Sequence, residues 1–148
     1  MSIQETIRTE MTTAWKAGDT IRRDALRLLI AALENARIEA GRPLEDTDTI
    51  RVLQKEAKQR RDSITEYDKA GRSDLSAKEQ QELDVITTFL PTQLSDDEIR
   101  ELARGVIAET GASGAGDVGK IMRPLIAKVA GRADGGRVNQ IARELLGG

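Results

Sequence analysis

Apolar residues recur three or four positions apart along this whole chain, and nowhere do they alternate with polar ones over the length of a strand. That period gathers them on one side of a 3.6-residue turn, so each run predicts an amphipathic helix. Three Ser-x-x-Glu tetrads, Ser2 to Glu5, Ser76 to Glu79 and Ser95 to Glu98, have the form of capping boxes. In that motif the serine hydroxyl accepts from a free backbone N–H while the glutamate reaches back to another. The first opens a helix with Ile3, Ile7, Met11 and Trp15 inside, ended by the run Ala17-Gly18-Asp19.

A second helix is expected from about Thr20 to Ala40, burying Ile21, Ala25, Leu28, Leu29, Ala32 and Leu33, with Gly41 as its stop and Pro43 just beyond. A third, over about 46–70, turns Ile50, Leu53, Ala57, Ile64 and Tyr67 inward and stops at Gly71. Arg60 falls within that apolar stripe, where a guanidinium requires a carboxylate partner because unpaired buried charge is costly. Arg51, Lys55, Lys58 and Lys69 lie on the opposite side, interrupted by Asp62 and Glu66, in the pattern of a solvated face.

The second tetrad is expected to open a fourth helix with Leu83, Ile86 and Leu90 inside and Pro91 at its end. The run LPTQLS, 90–95, then reads as a hinge. A fifth helix begins at Ser95 and carries Ile99, Leu102, Ala103, Val106 and Ile107. A sixth, over 117–130, has Asp117 as N-cap, Gly131 at its C′ position and Val118, Ile121, Met122, Leu125, Ile126 and Val129 inside. Pro124 near its middle removes one backbone bond. The seventh starts at Asp134 and uses Val138, Ile141, Ala142 and Leu145. The expected class is all-α: a four-helix N-terminal domain over 1–92 and a three-helix C-terminal domain over 93–148. The smaller domain buries little surface and is expected to lean on a neighbour or partner.

Composition removes several chemistries. The chain has no cysteine and no histidine, hence no thiol nucleophile, no Ser-His-Asp relay and no imidazole or thiolate metal site. No cofactor or metal motif is recognisable, and no catalytic residues are assigned. Trp15, Tyr67 and Phe89 are the only aromatics, too few for a base-stacking platform. No apolar run nears the ~18 residues of a membrane span, and the N-terminus lacks a signal-peptide apolar core, so a cytoplasmic chain without membrane contact is expected. The net charge of −2 hides a polarity: residues 111–148 hold six Lys/Arg against three Asp/Glu. A basic end on a slightly acidic protein suits a polyanionic partner.

Gly114-x4-Gly119-Lys120 matches the start of a phosphate-binding P-loop. The context fails three times: the preceding residues are helical, Ile121 stands where a magnesium-holding Ser or Thr is needed, and Asp117 would repel phosphate. The stretch reads as a turn into the sixth helix. The second glycine cluster, KVAGRADGGRVN (128–139), brings Lys128, Arg132, Arg137 and Asn139 around one turn, where side chains could meet phosphate or sugar. Lys120 and Arg123 project from the sixth helix away from its apolar stripe and complete the candidate contact set.

The chain resembles the YqeY family in LRLL (26–29), GRPL (41–44), LQKEAKQRRDS (53–63), AGRSDL (70–75), FLPTQLSDDEI (89–99), GKIM (119–122) and GRADGGRVN (131–139). That family is similar, mainly over the last three helices, to the tail of the B subunit of glutamine-dependent aspartyl/glutamyl-tRNA amidotransferases. The resemblance implies an all-helical two-domain protein linked to amide transfer on misacylated tRNA, and a label of carbon–nitrogen ligase with glutamine as amido-N-donor. The residues themselves offer neither a Cys nucleophile nor the Ser–Ser–Lys arrangement of amidases. Three readings stay open. One is a non-catalytic tRNA-associated module contacting RNA through Lys120, Arg123, Lys128, Arg132, Arg137 and Asn139. Another is an adaptor docking onto an aminoacyl-tRNA synthetase or amidotransferase, and the last a free-standing ligase.

Overall fold

The computed structural model describes residues 1–147. Seven α-helices follow one another: α1 Ile3–Ala17, α2 Thr20–Ala40, α3 Asp46–Lys69, α4 Ser73–Thr87, α5 Asp96–Thr110, α6 Val118–Val129 and α7 Gly135–Leu145. A 3-10 turn, Ala115–Asp117, precedes α6, and no strand occurs among the described residues. The all-α class follows from the apolar period. The helices gather into two compact units, Met1–Leu90 and Pro91–Gly148.

In the N-terminal unit α1 packs along α2 and α3 along α4, with α2 also touching α3 and α4. Ser2 closes the expected capping box: its Oγ accepts from Glu5 N–H at 3.1 Å, and its own N–H donates to Glu5 Oε2 at 3.1 Å. Asp46 Oδ1 accepts from Ile3 N–H, and Gln4 donates to the Leu44 carbonyl and to Thr49 Oγ1. The start of α1 is thereby tied to the start of α3. Ile7, Leu26, Leu29, Leu33, Leu53 and Ile86 form the centre of the core.

Several side chains here lie elsewhere than their spacing predicts. Trp15 is 59% exposed, and Ala14 occupies the buried position instead. Steps of four residues drift about 40° each around a helix, so the row from Ile3 to Trp15 leaves the core side before it ends. Trp15 lies against Arg23, whose guanidinium carbon is 5.7 Å from the ring centre. On α2 the buried stripe is Ala25, Leu26, Leu29 and Leu33, while Ile21 and Leu28 face outward. Ser76 does not cap α4. The helix begins a turn earlier, after Arg72, which leaves Ser76 buried inside it, and the Arg72 guanidinium holds Asp74. Arg60 does find its carboxylates: Nη1 lies 3.1 Å from Glu56 Oε1 and Nε 3.4 Å from Glu82 Oε2.

In the C-terminal unit each of α5, α6 and α7 touches the other two. Their shared core contains Ile99, Ala103, Val106, Ile121, Leu125 and Ile141. Ser95 caps α5 in the expected box with Glu98. Gly111 ends that helix at φ 69°, the left-handed turn that costs a glycine nothing. The backbone just before α5 is fixed within the unit, since Leu94 N–H donates to the Arg132 carbonyl at 2.7 Å.

Two expected caps behave differently. Asp117 precedes α6 but caps no N–H of that helix; its Oδ2 accepts instead from Ser113 N–H at 3.0 Å, closing the glycine turn behind it. At the other end Ala130, not only Gly131, has a left-handed backbone, with φ 51° and 82° respectively. Ala130 is the only non-glycine residue at positive φ among the described residues. Ile126, expected inside, is 43% exposed.

Candidate nucleic-acid interface

α6 presents its apolar stripe to α5 and α7 because Val118, Ile121, Leu125 and Val129 recur at three- and four-residue steps. The opposite side of the same helix carries Lys120 and Arg123, both exposed, with Ile126 near them. Pro124 sits inside the helix without ending it.

The six candidate contacts differ sharply in how they are engaged. Lys120 Nζ is 3.2 Å from Asp117 Oδ1, with its side chain 68% exposed. Asp117 is itself held below the usual carboxylate range, first by the Ser113 N–H and then by Lys120. Lys128 Nζ reaches Glu109 Oε1 on α5 at 2.9 Å, again at the surface. Arg123 makes no hydrogen bond or ion pair among the described residues.

The other three are engaged by groups of the unit itself. Arg132 turns back on α6, donating from Nε to the Val129 carbonyl and from Nη2 to the Lys128 carbonyl, both at 3.2 Å. The Val129 carbonyl also accepts the Arg132 N–H at 3.0 Å, so backbone and side chain of Arg132 together close the end of α6. Arg137 grips Asp96 through two bonds, Nε to Oδ1 at 3.0 Å and Nη2 to Oδ2 at 2.6 Å, and joins the first turns of α5 and α7. The pairing lowers the Asp96 pKa and raises that of Arg137. Asn139 accepts from Arg143 Nε at 2.7 Å. The glycine cluster from Lys128 to Asn139 is thus largely built into the unit, while the more available cations lie on α6.

Asp96 and Glu109 were not singled out as partners by the sequence. Asp96 precedes Arg137 by 41 positions, and no local period links the two. The P-loop resemblance dissolves in three dimensions. The segment feeding Gly114 is α5, not a strand, and the Asp117 carboxylate occupies the turn's own N–H. Among the described residues no group of three or more acidic, histidine or cysteine side chains is placed to hold a metal ion. None of the described helices is long and apolar enough to cross a membrane.

These features define an all-helical chain of two compact units with a cationic edge on the second. Residues 4–146 match the YqeY family, described as Yqey-like protein. The chain belongs to that family.

Relatives with other names match over part of the chain. An uncharacterised protein of Schizosaccharomyces pombe is 28% identical over 64% of this chain and 77% of its own length. Altered inheritance of mitochondria protein 41, mitochondrial, of Vanderwaltozyma polyspora is 33% identical over 57% of this chain. The same-named protein of Saccharomyces cerevisiae is 32% identical over 55% of it. The chain spans about half the length of those mitochondrial relatives, 46% and 44%. Their name lends no support to the expected cytoplasmic location.

Proposed function

We propose that this chain is a non-catalytic helical module that associates with tRNA through the exposed side of α6. The observation that carries the reading is Arg123, an exposed guanidinium with no partner among the described residues, one turn from Lys120. An exposed ion pair such as Lys120–Asp117 or Lys128–Glu109 is weak because water screens it, so a phosphate can take over the cation at little cost. Arg132 and Arg137 act differently: they hold the α6–α7 turn and the α5–α7 junction, while Asn139 is engaged by Arg143 within α7. The excess of Lys/Arg over Asp/Glu after residue 110 supplies the long-range attraction. Amide transfer, if the family's association with it extends to this chain, would be carried out by a partner, because the chain has no Cys nucleophile.

Gel-shift with tRNA across a salt series tests the assignment. Three phosphate contacts give a slope of log affinity against log salt of about −2 to −3. Lys120→Glu/Arg123→Glu should weaken binding and flatten the slope, whereas Lys120→Arg/Arg123→Lys should preserve both. Equal binding by the wild type and the Glu pair would remove α6 as the contact.

The adaptor reading, docking onto a synthetase or amidotransferase, is favoured by Ile126, an apolar side chain left in solvent beside Arg123. Recovery of such an enzyme with the tagged chain after nuclease treatment, lost in Ile126→Asp, would select it.

A further inference from the structure

A groove of about 560 Å³ runs between α2 and α3 in the N-terminal unit, whereas the candidate RNA contacts all belong to the C-terminal unit. Its floor is apolar and mostly small: Ala32, Ala36 and Val52, with Leu28 47% exposed beside them. Two turns earlier on the same side of α2, Ile21 is exposed in a second depression, of about 250 Å³, that is also lined by Lys78 and Glu82 of α4. Two apolar side chains at seven-residue spacing, left in water on a helix whose other side buries Leu26, Leu29 and Leu33, have the form of a surface awaiting another helix.

The charges around the groove say what kind of helix. Of the acids lining the two depressions, Glu56 and Glu82 are both committed to Arg60 at 3.1 and 3.4 Å, and Asp24 is paired with Arg23. Arg51, Lys55 and Lys78 hold no hydrogen bond or ion pair among the described residues. Glu39, at the far end of the groove, is the unpaired acid among the lining residues, and Glu79 lies within electrostatic reach of Lys78. The uncommitted charge is therefore mainly positive. Arg51 and Lys55 are four residues apart, one turn of α3, and so match carboxylates one turn apart on a facing helix.

We infer that this groove receives an acidic amphipathic helix of a protein partner. The partner's apolar side seats over Leu28 and Val52, and its Glu or Asp pair meets Arg51 and Lys55. The alanine floor permits the close approach of roughly 8–10 Å between helix axes that such packing needs. RNA is a poorer occupant, because Leu28, Ala32, Ala36 and Val52 offer phosphate nothing beyond the two cations and no aromatic side chain lines the groove for stacking. The inference is independent of the tRNA reading, which concerns α6.

A phage-displayed helix library, randomised on one face and selected on the full chain with counter-selection on Leu28→Asp, identifies the occupant's chemistry. The expected result is convergence on apolar residues at helical spacing flanked by two acids one turn apart. A fluorescein-labelled selected peptide should bind the wild type and lose about tenfold or more in affinity on Arg51→Glu/Lys55→Glu. The same peptide with its two acids replaced by Lys should then bind the Glu variant, a rescue that misfolding could not produce. Several outcomes overturn the inference. They are failure to converge, convergence without acids, no rescue, or binding indifferent to Leu28→Asp. Self-association of the chain in sedimentation, abolished by Leu28→Asp, would assign the groove to a second copy instead.

Discussion

Replacing Arg60 by methionine keeps the length of the side chain and removes its charge, leaving Glu56 and Glu82 facing each other within the N-terminal unit. All three side chains are only 12–15% exposed. Glu79 stands nearby with its pKa already raised by burial and by Glu82, and Arg60, followed by Lys78, restrains that rise. Breaking a fully buried pair costs about 3–5 kcal/mol. Allowing for the water that reaches these groups, the expected loss is roughly 2–4 kcal/mol. A unit the size of Met1–Leu90 holds on the order of 5–13 kcal/mol, so the effect is large and readable.

The chain supplies its own probe: Trp15 and Tyr67, its single tryptophan and tyrosine, both lie in the N-terminal unit. Urea unfolding followed by their fluorescence should show a midpoint lowered by about 1–2 M. Arg60→Met/Glu56→Gln/Glu82→Gln should recover most of the loss, since a neutral cluster strands no charge. The deficit of the single variant should also shrink as pH falls and Glu79 is neutralised. A loss below about 1 kcal/mol, or a triple variant no better than the single one, would refute the claim that Arg60 holds this cluster together.

Ala130→Gly should raise the stability of the C-terminal unit by up to about 1 kcal/mol, because Ala130 holds a left-handed backbone that glycine adopts freely; denaturation followed by circular dichroism at 222 nm reads it. Glu79→Gln should stabilise the chain near neutral pH and make no difference in acid. With its folded pKa raised, the carboxyl favours the fold in its protonated form below its usual 4.5 and loses that contribution as pH rises through the folded value. Thermal melts at pH 4 and pH 7 separate the two. Asp48 is held down to about 2 by the Arg42 guanidinium and then by the Glu45 N–H. Its stabilisation is present above the usual 3.8 and lost as pH falls towards 2, so Asp48→Asn should flatten that part of an acid titration.

Interactions between neighbours on one helix were legible in the residues. Ser2 and Ser95 declared their caps, and Arg60 declared its need for acids by falling on the buried stripe. Errors arose where a fixed step was carried too far or where two neighbours competed for one position. Trp15 drifted off the core side, and Leu26 took the place expected of Leu28. Ser76 matched a motif whose position the tertiary fold had moved inside α4. In the candidate interface, the exposure of Lys120 and Arg123 followed from the period of α6. The Asp96–Arg137 grip joins different helices, and no local spacing announces it.

On α2, the residues lining the groove and those filling the core are different residues. Leu28, Ala32 and Ala36 line the groove, while Leu26, Leu29 and Leu33 are buried. A change at Leu28 or Ala36 would therefore alter what fits the groove while leaving the packing against α1 and α4 nearly untouched. Relatives could diverge in what they hold there without each change destabilising the four-helix unit. Even Ala36→Leu, which would unsettle a packed interior, would act here as a change of fit.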